Sequence, residues 1–61
     1  MLHAASLGRL GYQIVPAAMP GQWFLDTKKR TLFVDTDFCM SEVEHAAEHA
    51  ESFILEKRVP A

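Results

Sequence analysis

The apolar positions of this chain follow two periodicities, and the clearer one is helical. Between residues 42 and 57, Val43, Ala46, Ala47, Ala50, Phe53 and Ile54 gather on one stripe at about 100° per residue, which predicts an amphipathic helix. The alanines in that stripe predict close approach to whatever lies beneath. Ser41 followed by Glu44 is a capping-box pattern, in which the hydroxyl accepts from a first-turn amide and the glutamate reaches back. Glu42 and Glu44 stand at the positive end of the helix dipole, Lys57 and Arg58 at the negative end, and Pro60 follows the stop.

The second periodicity is that of strands. Residues 22–26 and 30–35 carry Trp23, Phe24, Leu25 and then Thr31, Leu32, Phe33, Val34, all strand-favouring or aliphatic. Thr27-Lys28-Lys29 between them suits a hairpin turn. Both faces of the second strand are mostly apolar, so it is either covered on both sides or has one face awaiting a partner. Residues 12–15 read as a further strand that Pro16 ends or confines to an edge. Pro16 to Gly21 marks a loop. Residues 2–10 are weakly amphipathic through Leu2, Leu7 and Leu10. Gly8 weakens that helix by about 1 kcal/mol, and Gly11 suits the position just past its end. The order α-β-β-β-α predicts one small α+β domain over residues 1–61, a short antiparallel meander packed on the C-terminal helix.

Length changes what such a domain needs. A chain of 61 residues buries only about 60% of the surface its unfolded form exposes. Domains of this size draw on disulfides, a metal or a partner chain. Cys39 is the one cysteine, so no disulfide forms within the chain, and a single thiol fits a reducing cytoplasm. The apolar fraction of 49% and charged fraction of 23% are those of an ordinary globular domain. The net charge of −2 gives no electrostatic case for nucleic acid, and Lys28-Lys29-Arg30 reads as a solvated turn. No apolar run approaches the ~20 residues of a membrane span. The first seven residues lack the basic leader and apolar core of a signal peptide.

The long helix also carries the candidate chemistry. His45 and His49 are four apart, which puts both rings on one side of the helix, one turn apart. Glu48 completes the order H-x-x-E-H, in which two histidines hold zinc and the glutamate acts as base towards the metal-bound water. Cys39 lies six residues before His45, and a thiolate with two imidazoles suits a structural zinc, with His3 as a fourth ligand if the two helices pack together. The competing reading is a polar helix face. Five glutamates (Glu42, Glu44, Glu48, Glu51 and Glu56) place an acid near either histidine whatever the function. Cys39 between Phe38 and Met40 also suits a small buried hydrophobe. Asp35 and Asp37 are acidic candidates whose better reading is turn chemistry. Ser6 and Ser52 stand in no nucleophile motif, and Trp23 beside Phe24 reads as core.

The run Trp23-Phe24-Leu25-Asp26-Thr27-Lys28-Lys29-Arg30-Thr31-Leu32-Phe33-Val34-Asp35-Thr36-Asp37, followed by a helix with paired histidines, resembles the first half of ImmA/IrrE-type metallopeptidases. Gly11-Tyr12-Gln13-Ile14-Val15 matches the glycine-aromatic step and short strand with which that half begins. The resemblance covers about residues 5–55. It implies a zinc-peptidase core fold and a setting in phage or mobile-element regulation. In the family the catalytic glutamate follows the first histidine, and position 46 here is alanine. What the resemblance implies is therefore a core fold with a residual metal pair. The leading expectation is a small non-enzymatic interaction module, forming a homodimer or binding another protein through Leu55 and the apolar strand face. The alternatives are a metal-dependent hydrolase using His45, Glu48 and His49, and a structural zinc domain using Cys39, His45 and His49.

Overall fold

A computed structural model describes residues 2–58, with the side chain of Arg58 left aside. The expected Pro60 stop lies outside the described residues. The element order is α1 (Leu2–Arg9), β1 (Gln13–Ala17), β2 (Trp23–Asp26), β3 (Thr31–Asp35) and α2 (Met40–Arg58), an α+β fold. Both helices lie on one face of a three-stranded sheet. Among the described residues, no helix is long and apolar enough to cross a membrane.

The expected meander is replaced by a mixed sheet. The strand order is β1-β3-β2, with β1 parallel to β3 and β2 antiparallel to it. Pro16 explains part of this. Its pyrrolidine nitrogen carries no hydrogen, so β1 can bond fully along one side only. Gln13 donates to Arg30 O at 2.9 Å and Thr36 donates to Ala17 O at 3.0 Å, so residues 13, 15 and 17 turn their amides towards β3. Pro16 therefore faces outward, inside the strand rather than at its end. Thr31–Asp35 has no proline and two apolar faces, and it takes the centre.

Asp35 secures the link that this order demands. The chain leaves β1, passes the end of β3 and enters β2 on the far side. The Asp35 carboxylate accepts from Gly21 N at 2.7 Å and Asp37 N at 3.1 Å. Those bonds, the Gly21 amide first, hold its pKa below the usual carboxylate range. Gly21 has φ 69°, a left-handed conformation that glycine adopts without a Cβ clash. At the other end Asp26 Oδ1 accepts from Lys28 N and Lys29 N, both at 3.0 Å, and fixes the β2–β3 turn.

The core is Leu7, Leu32, Val34, Ala46, Ala47, Ala50 and Ile54. Side chains alternate along a strand, so Leu32 and Val34 face the helices together with Ile14 and Leu25 of the flanking strands. The predicted helix stripe holds at its alanines and Ile54. Phe53, expected in it, is 45% exposed, and Trp23, expected in the core, is 38% exposed. Both lie along the β2 edge, where the sheet ends and they line a shared cleft.

The start of α2 also differs from expectation. The helix begins at Met40, and Cys39 N donates to Glu42 Oε1 at 3.1 Å. Cys39 thus takes the capping position and Glu42 the reciprocal acid, two residues earlier than Ser41 and Glu44. Cys39 is exposed rather than a buried hydrophobe, with Sγ 3.1 Å from Ser41 Oγ.

Candidate functional site

Glu44, released from its expected cap, serves the other helix. Its Oε1 accepts from His3 N at 2.7 Å and its Oε2 from Ala4 N at 3.0 Å. A carboxylate on the free amides of α1 sits where the helix dipole favours it. These amides, His3 N first, keep the Glu44 pKa low. Two turns on, Glu51 Oε1 lies 2.8 Å from His3 Nδ1. This contact raises the pKa of His3 above its ordinary 6.5 and lowers that of Glu51. His3 is therefore drawn to α2, as an ion-pair partner. Sequence reading missed this role because the contacts span about 40 residues and match no local pattern.

His45 and His49 do come together. Their Nε2 atoms are 3.2 Å apart and the rings meet edge to face with centroids at 4.6 Å. Trp23 stacks on His49 at 6.2 Å, with 24° between the planes. Trp23, Leu25, His49 and Phe53 line a cleft of about 350 Å³ between the β2 edge and α2. The remaining candidates lie elsewhere. Glu48 turns to the α1 side of the helix, where its charge helps raise the His3 pKa. Cys39 is six residues before His45, about 9 Å along the axis. Asp35 and its neighbour Asp37 are tied into the loop beyond β3. Among the described residues, no three His, Cys, Asp or Glu side chains converge as a metal site. The pair offers two imidazole nitrogens. The other positions of a tetrahedral zinc would fall to water or a second copy.

Apart from these titratable groups, the sheet carries an apolar row across its three strands. Strand register places Val15, Phe33 and Phe24 side by side, on the sheet face away from both helices. Val15 and Phe33 are half-buried and Phe24 is 55% exposed. On one side of this row Gln13 Nε2 donates to Thr31 Oγ1 at 3.2 Å, so the apolar row has a polar border. Strand alternation could have assembled this row, once β3 was known to be central. Leu55, expected to share the contact, is 46% exposed but belongs to the helical layer. It forms no continuous surface with the open face. Compared with protein-family models, curated proteins and solved structures, the chain finds no match.

Proposed function

We propose that this chain is a non-enzymatic interaction module whose working surface is the open sheet face, and that its first partner is a second copy of itself. The observation that carries this reading is the row Val15–Phe33–Phe24, apolar across all three strands and, among the described residues, with no helix over it. Geometry bounds the strength. Three strands about 4.8 Å apart and five residues of about 3.3 Å each give a footprint of roughly 240 Å². A stable interface takes about 800 Å² from each partner. The face alone therefore supports weak association, and the β2 edge is the natural extension. Trp23 and Leu25 turn their backbone groups outward there, with no proline to block pairing, as the bond from Asp35 N to Gln22 O sets the alternation.

Sedimentation equilibrium from micromolar to millimolar protein tests the reading. Wild type should self-associate and Phe24→Lys should remain monomeric. A wild type that stays monomeric throughout would remove the homodimer. The resemblance to ImmA/IrrE metallopeptidases supports placing such a module in phage or mobile-element regulation.

A second reading has one observation in its favour, the 3.2 Å approach of the two histidine Nε2 atoms. An exposed pair of this kind grips a zinc ion that a second copy completes. Zinc should then shift the association and His49→Ala should abolish the shift. Glu48, on the far flank, should be dispensable for it, which favours binding over hydrolysis.

A further inference from the structure

We propose that a cleft at the basic end of the molecule binds a small amphipathic anion: one carboxylate, or a like anionic group, on an apolar body. The fold brings three chain segments to this end: the end of α1, the β2–β3 turn and the end of α2. The cleft is open to solvent and spans about 670 Å³, within the size range of small-molecule sites. Leu10, Phe53 and Ile54 give it apolar walls, Tyr12 and Thr27 polar ones, and Arg30 and Lys57 its positive charge. Charge and apolar surface face the same space, and that combination defines the ligand class.

Two observations single out Arg30. It has φ 50°, a left-handed conformation in which glycine or asparagine is favoured and a long side chain is strained. The turn is therefore built with an arginine where backbone geometry alone selects against one. Its Nη1 lies 3.3 Å from the site of a Cβ at Gly11, itself left-handed at φ 88°, so the guanidinium is laid against the backbone beside the cleft. Among the described residues, Arg30 and Lys57 pair with no carboxylate, and no hydrogen bond uses the guanidinium. Lys57 Nζ sits 5.6 Å from the centre of the Phe53 ring.

The plainer reading is that cations gather where helices end, complementing the dipole. It accounts for Arg9 and Lys57, which end helices. Arg30 belongs to no helix, and a guanidinium fork with free donors matches a carboxylate in a way a dipole does not require.

The test is a nitrogen-15 NMR titration of the full chain with phenylbutyrate, against phenylbutanol as the neutral match and acetate as the anion without an apolar body. Phenylbutyrate should shift the amides of Tyr12, Thr27, Arg30 and Lys57. Its affinity should exceed that of either control by about tenfold, and Arg30→Gln should remove about tenfold of it. Lys57→Gln gives the same reading at a helix end should the first variant fail to fold. Equal binding of phenylbutanol, shifts confined to the open sheet face, or unchanged affinity in the folded variants would each overturn the proposal.

Discussion

The two faces of the sheet carry similar apolar residues but differ in what lies against them. Leu32 and Val34 on the helical face are 0% and 3% exposed, held under Ala46, Ala47 and Ala50. Phe24 on the other face is 55% exposed beside Phe33 and Val15. Apolar content alone does not distinguish them, since β3 alternates Leu, Phe and Val. The difference arises because, among the described residues, both helices pack on one face. One face makes the fold, and the other is the surface proposed for association.

Substitutions should separate the two faces, most strongly at the core. Leu32→Ala should cost about 2–5 kcal/mol, close to the whole stability of so small a domain, read by urea unfolding. Phe24→Ser should change stability far less while abolishing self-association. Equal losses in the two variants would break the distinction between the faces. Ala47 is 0% exposed at the helix–sheet contact, so Ala47→Leu should overpack it at about 1–3 kcal/mol. A neutral effect there would mean that helix and sheet pack loosely.

Smaller effects should follow from the charges that dock α1 on α2. The folded pKa values of Glu44 and Glu51 are depressed, so their stabilisation is complete above 4.5 and is lost as pH falls through those lower values. That of His3 is raised, so its contribution is complete below 6.5 and is lost as pH rises through the higher value. Thermal unfolding across pH should show a plateau between these limits. His3→Ala should flatten the alkaline side, and Glu44→Gln should flatten part of the acid side. Least of all, Glu48→Gln should leave self-association unchanged and lower melting only slightly, through its weak charge effect on His3.

Much of the fold was legible because it is written in local periodicity. The β2–β3 hairpin, the stripe Ala46, Ala47, Ala50 and Ile54, and the glycine ending α1 each follow from residues close in sequence. The parallel β1–β3 pairing was not, since strand order is settled by contacts far apart in the chain. Pro16 was the available clue, and it offered either an end or an edge for β1 without naming its neighbour. Two capping patterns overlap at the start of α2, Cys39 with Glu42 and Ser41 with Glu44. Only the presence of α1 shows why Glu44 is committed elsewhere. The His45–His49 pair was readable from helical spacing, whereas the stacking of Trp23 on His49 and the placement of Arg30 and Lys57 on one cleft depend on tertiary structure.

The most direct test of the open face as the working surface is an NMR dilution series on the wild-type chain. Amide shifts of Val15, Phe24, Phe33 and the β2 edge should move together with concentration, while those around Leu7, Ala47 and Ile54 stay fixed. A dilution series in which the sheet-face amides do not move, or in which only helical-face amides do, would contradict the account.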